Sequence, residues 1–177
     1  RPIAVEGSQR VVLADLDRDG FTDAVFCPNR IGVHHDRRHL SIAWGGADGW
    51  SPQRINGALP MNGAVAVAVV DLNRDGQVDI VYSPSAKGVV RFYLNSGKRD
   101  AGGMPIFVAQ RDMAMPSWPV RAADIDGDGD VDLVSGNGAR NSETGIVSKV
   151  TLYANIARSG WPLKLEQGRS VVLGTSP

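Results

Sequence analysis

The stretch Ala14-Asp-Leu-Asp-Arg-Asp-Gly-Phe-Thr-Asp-Ala-Val25 returns twice with the same punctuation. It reappears as Val70-Asp-Leu-Asn-Arg-Asp-Gly-Gln-Val-Asp-Ile-Val81 and as Ala123-Asp-Ile-Asp-Gly-Asp-Gly-Asp-Val-Asp-Leu-Val134. The leading acid stands at Asp15, Asp71 and Asp124, so the period is 56 and then 53 residues. Self-similarity at such a period marks a repeat architecture. A β-forming stretch precedes each copy: Arg10–Ala14, Ala64–Val70 and Val120–Ala123. A second follows directly: Thr22–Phe26, Val78–Tyr82 and Val131–Val134. A third comes later, at Leu40–Trp44, Val89–Leu94 and Lys149–Ala154. A fourth follows a turn, at Gln53–Ile55, Ile106–Gln110 and Leu163–Glu166. Four strands per unit of about 50 residues describe a propeller blade.

Composition agrees. The chain has 177 residues, of which 42% are hydrophobic and 21% charged, a balance that supports a packed core and excludes disorder. The 21 glycines and 10 prolines interrupt every stretch before a helical period is established. No apolar run approaches the length of a membrane-spanning helix. The single Cys27 excludes an internal disulfide and any Cys-x-x-Cys metal or redox site; after an apolar strand it reads as an inert buried thiol. Net charge is zero, yet 12 of the 19 acids fall within 15–23, 71–79 and 124–132. Packing carboxylates this closely opposes their own repulsion, and a cation is the usual remedy. The bases are scattered rather than blocked, which argues against nucleic acid.

Each acidic segment reads D-x-[DN]-x-D-G-x-x-D. Side-chain oxygens at the first, third, fifth and ninth positions, with a backbone carbonyl at the seventh, suit one hard cation such as Ca²⁺. The first site is Asp15, Asp17, Asp19, Asp23 and the carbonyl of Phe21. The second is Asp71, Asn73, Asp75, Asp79 and the carbonyl of Gln77. The third is Asp124, Asp126, Asp128, Asp132 and the carbonyl of Asp130. About three calcium ions are therefore expected, the second site being weakest because Asn73 removes a charge. The glycine at the sixth position permits the sharp turn. The twelfth position, Glu in an EF-hand, holds Phe26, Tyr82 or Ser135, and β-formers follow each segment. The loop thus closes a β-hairpin.

These units resemble FG-GAP/VCBS-type repeats, the calcium-binding blades of integrin-α-like propellers. Phe92-Tyr-Leu-Asn-Ser-Gly and Leu152-Tyr-Ala-Asn resemble that family's aromatic-x-Asn turn, and Ile42-Ala-Trp-Gly-Gly-Ala-Asp-Gly its G-x-x-D-G ending. The resemblance implies an all-β β-propeller with about three four-stranded antiparallel blades. It places blade one at about 9–56, blade two at about 63–111 and blade three at about 118–168. Ser170-Val-Val-Leu-Gly174 is similar to Arg10-Val-Val-Leu-Ala14 and is expected to open a fourth blade over 169–177. Propellers close with about 4–8 blades. The chain is therefore expected to be a piece of a larger ring, about six- to eight-bladed, closed by further blades or by self-association. Trp50 and Trp161, at matching repeat positions, are expected to be blade-packing residues.

The resemblance also puts the calcium hairpins on one face and the ligand-binding loops on the other. Those loops are 29–39, 83–88 and 136–148, with the inter-blade stretches 56–63 and 111–119. There, His34, His35 and His39 share one loop with an Asp and two Arg. That chemistry suits a transition metal, a carboxylated sugar or an acid/base group; a solvated insertion is the plain alternative. Trp118, between Pro116 and Pro119, is either a stacking platform for a sugar or a wedge between blades. Arg140 is a further candidate ligand residue. The favoured function is a calcium-binding extracellular, cell-surface or periplasmic module for glycan or protein binding. The alternative is the propeller portion of a secreted polysaccharide lyase or sugar dehydratase. No catalytic residue is assigned, since no nucleophile signature such as Gly-x-Ser-x-Gly is present.

Overall fold

The computed structural model describes residues 8–28, 39–60, 64–84, 88–115, 120–141, 145–155 and 165–176. Among these there is no α-helix, only a three-residue 3₁₀ turn at Pro52–Arg54. Among the described residues no helix is long and apolar enough to cross a membrane. The protein is all-β.

The strands form three antiparallel sheets, each taken up in chain order. The first holds β1 (Ser8–Ala14), β2 (Asp23–Pro28), β3 (His39–Ala43) and β4 (Ile55–Pro60). The second holds β5 (Ala64–Val70), β6 (Asp79–Pro84), β7 (Val89–Arg99) and β8 (Pro105–Ala109), with the short β9 (Met113–Ala114) beside β7. The third holds β10 (Val120–Ala123), β11 (Asp132–Asn141), β12 (Gly145–Asn155) and β13 (Leu165–Ser176).

The alternating Ala-Val run of β5 explains how the sheets stack. Val67 and Val69 face the first sheet, in one core with Val12, Val25, Leu40, Ile42, Leu59, Ile80 and Tyr82. Ala66, Ala68 and Val70 face the third sheet, in a second core with Val81, Phe92, Val120, Leu133 and Tyr153. Side chains alternate across a strand, so one small-residue strand serves both interfaces. Strand β5 touches both β1 and β10. Each fully buried large side chain contributes about 1.5–3 kcal/mol relative to exposure. Tyr82 and Tyr93 stack in the first core with centroids 5.9 Å apart. Cys27 is buried there as well, and burial pushes its thiol up to about 11.

Three sequence expectations are corrected. Residues 170–174 do not open a fourth sheet: β13 continues through them, with Thr151 opposite Ser170 and Val150 opposite Val171. The stretch 136–148 is largely a hairpin rather than a loop, because β11 and β12 pair as far as Asn141 and Gly145. Its glycines read as breakers, yet ladder pairing with the β-branched strand opposite satisfies their backbone groups. In the first sheet the fourth strand starts at Ile55, after the turn begun by Pro52, and occupies residues assigned to an inter-blade connection.

Candidate metal centres

Each acidic segment joins the first two strands of its sheet, because the strand ahead ends one residue before the leading Asp and the next begins at the ninth position. The leading carboxylate organises the turn. Asp15 accepts from the N–H groups of Asp19 (3.1 Å) and Gly20 (3.0 Å). Asp71 accepts from Asp75 (3.2 Å) and Gly76 (2.9 Å). Asp124 accepts from Gly127 (2.8 Å) and Gly129 (3.0 Å). The third-position side chains, Asp17, Asn73 and Asp126, each accept from the fifth-position N–H at 3.2 Å. The fifth-position acids, Asp19, Asp75 and Asp128, accept from the seventh-position N–H of Phe21, Gln77 and Asp130. The sixth-position glycines have φ of 87°, 83° and 89° (Gly20, Gly76, Gly129). The fourth position is left-handed too. Gly127 sits there at 81°, but Arg18 and Arg74 hold 59° and 58° with a Cβ attached.

The ninth-position acids are buried staples. Asp23 accepts from the N–H of Leu16 and of Gly45, both at 2.8 Å. Asp79 accepts from Leu72 (3.0 Å) and Asn95 (2.8 Å). Asp132 accepts from Ile125 (2.9 Å) and Asn155 (2.8 Å). One oxygen thus fixes the loop and the other ties it to the third strand or the residues just beyond it. At Gly45 an added Cβ would collide with the carbonyl of Thr22, so glycine is required for that approach. Burial is the main cause that raises Asp23 and that pushes Asp79 up to about 7, against the pull of their N–H donors. Burial, then the charge of Asp23, raises Asp17. A divalent cation inverts this pressure by favouring the ionised form.

One carboxylate oxygen from each of Asp15, Asp17 and Asp19 lies within 4.8 Å of the others, as does one from each of Asp124, Asp126 and Asp128. In the second loop Asn73 instead donates its amide to Asp75 at 3.0 Å. Every donor is oxygen, the set a hard cation takes and a soft one does not. Four side chains and one carbonyl, that of Phe21, Gln77 or Asp130, supply fewer than the six to eight oxygens Ca²⁺ takes, which leaves room for water. The residues fit calcium.

Of the other candidates, His39 and Arg140 are among the described residues. His39 is exposed at the start of β3, opposite Pro60. Arg140 stands on β11 in the third sheet, opposite Ile146. His34, His35, Trp118 and Trp161 lie outside the described residues. Trp50 corrects its expectation: it is 41% exposed, and its indole N–H donates to the carbonyl of Thr22 at 2.7 Å, so it braces the first loop from outside.

Contacts between sheets converge on these loops, and sequence reasoning missed them. Arg74 Nη1 lies 2.7 Å from Asp130 Oδ1 of the third loop. Arg99, at the end of β7, donates to the backbone carbonyl of Asp17 and stands 3.9 Å from its carboxylate. The available signal was an Arg at the same loop position in two of three copies.

No curated protein matches the chain. The family model of the FG-GAP-like repeat matches residues 15–82. That span opens on the leading acid of the first loop, takes in β2 to β5 and the whole second loop, and ends within β6. Residues 15–82 are therefore similar to an FG-GAP-like repeat, consistent with the FG-GAP/VCBS type.

Proposed function

We propose that the three sheets, spanning 8–60, 64–114 and 120–176, are blades of a calcium-stabilised β-propeller, and that the domain binds a glycan or a protein outside the cell or in a periplasm. One observation carries the reading. Three loops, each between the first two strands of its sheet, turn matching oxygens onto matching backbone groups. FG-GAP repeats often bind calcium, and the donor set suits that ion. Calcium-rich surroundings follow, since the ion is abundant outside cells. Further blades, or a second copy of the chain, complete the ring. His34, His35, His39, Trp118 and Arg140 are the residues this reading assigns to the ligand.

Thermal melting in calcium and in chelator tests the reading. A site with a dissociation constant 100-fold below the free calcium concentration adds about 2.7 kcal/mol. Three such sites approach the whole stability of an ordinary domain, about 5–15 kcal/mol. A melting temperature indifferent to chelator sinks the proposal. Binding to a glycan array in calcium then separates a glycan from a protein ligand.

A further inference from the structure

The fourth loop position sends an arginine from one sheet to the next. Arg74 in the second loop reaches the third: its guanidinium pairs with Asp130 at 2.7 Å, and its Nη2 lies 3.3 Å from where a Cβ on Gly129 would stand. Arg18 does the same one step earlier, with Nη1 3.5 Å from the corresponding point on Gly76. The two arms meet different partners. Asp130 presents a carboxylate that is only 2% exposed, whereas the second loop has the neutral Gln77 at that position. In the third loop the fourth position is Gly127, which extends no arm. A left-handed φ at a residue bearing a Cβ is unfavourable by roughly 1–2 kcal/mol, so both arms are held against a local preference for glycine.

We propose that Arg74 sets the calcium affinity of the third loop from the neighbouring sheet. The inference rests on the calcium reading of that loop. Asp130 offers its backbone carbonyl as the seventh-position ligand, while its carboxylate adds a fifth negative charge beside Asp124, Asp126, Asp128 and Asp132. Arg74 cancels that fifth charge. The pair is neutral, so each partner removed alone leaves an unbalanced charge of opposite sign next to the ion. Without the guanidinium the loop is one charge more negative and holds a divalent cation more tightly. Without the Asp130 carboxylate the loop has one negative charge fewer beside the same guanidinium and holds the ion less tightly. A salt bridge that served only to hold the sheets together predicts something else: both losses loosen the loop and both weaken binding.

Calcium titration of the full chain, followed by NMR at the Gly129 amide, reads the third loop by itself, with Gly20 as the reference for the first. Arg74→Gln is expected to lower the Gly129 midpoint roughly three- to tenfold, the scale of one charge acting on a divalent ion near the surface. Asp130→Asn is expected to raise it by a similar factor, and the double variant to return it close to the parent. Gly20 keeps its midpoint throughout. Arg74→Lys keeps the charge and stays near the parent value. Two single variants that both weaken binding, or that leave the Gly129 midpoint unmoved, overturn the role of Arg74. A parent chain whose Gly20, Gly76 and Gly129 amides all ignore calcium overturns the calcium reading itself, and this role with it.

Discussion

Asn95 Nδ2 donates to the backbone carbonyl of Leu16 at 3.1 Å, across 79 residues of chain. The bond ties the third strand of the second sheet to the first acidic loop. Both residues are buried, so neither group has water as a substitute. Asn95→Ala leaves the Leu16 carbonyl without this donor and is expected to destabilise the fold by about 1–3 kcal/mol. Urea denaturation measures it; a change within a few tenths of a kcal/mol refutes the tie.

Asp79 gives the calcium-free protein a pH dependence of definite sign. Its carboxyl titrates at an ordinary 3.8 in the unfolded chain and, through burial first, at about 7 in the fold. Between those values the folded state keeps a proton that the unfolded state has lost, so raising the pH favours unfolding. This contribution is complete below pH 3.8 and gone once the pH has passed about 7. Asp17 and Asp23, also raised, act in the same direction. In chelator, Asp79→Asn is expected to lose less stability than the parent between about pH 5 and about pH 7.5. Equal urea-midpoint shifts in the two proteins contradict the assignment.

The left-handed turns predict opposite effects at neighbouring positions. Gly20 holds φ 87°, so Gly20→Ala is expected to lower stability by about 1–2 kcal/mol. Arg18 holds 59° with a side chain, so Arg18→Gly is expected to raise it by up to about 1 kcal/mol. Gly127 already occupies that position in the third loop. Paired melts of the two variants decide; a stabilising Gly20→Ala is the failing result.

Much of this was legible in the sequence. Strands β5 and β10 fall where runs of Ala and Val between turn signals put them. The hairpin loops follow from acid spacing, since each carboxylate bonds a backbone group within a few residues. What lay hidden was set by distant partners. Residues 170–174 copy the opening strand of the first unit, yet pairing with β12 places them in the third sheet. Trp50 shares a repeat position with Trp161 but meets solvent and the Thr22 carbonyl. The pairing of Arg74 with Asp130 joins residues 56 apart, which no local pattern reports.

The outer face of the first sheet predicts association. Val12 and Ala14 pack into the first core, while Val11 and Leu13, pointing the other way, are each 54% exposed. Such a surface suits a neighbouring blade. The isolated 177 residues are expected to self-associate in calcium, and Leu13→Lys to shift them toward monomer. Light scattering that finds a monomer for the parent removes the need for a neighbour.

Among the described residues, the middle sheet packs both of its faces, into the first core on one side and the second on the other. To expose the amides of β5 and β6 to exchange with solvent deuterium, one flanking sheet has to detach first. Either flanking sheet detaches by giving up a single interface. The β5–β6 pairing, with Val67 opposite Tyr82 and Ala68 opposite Val81, is therefore expected to be the last register to be lost.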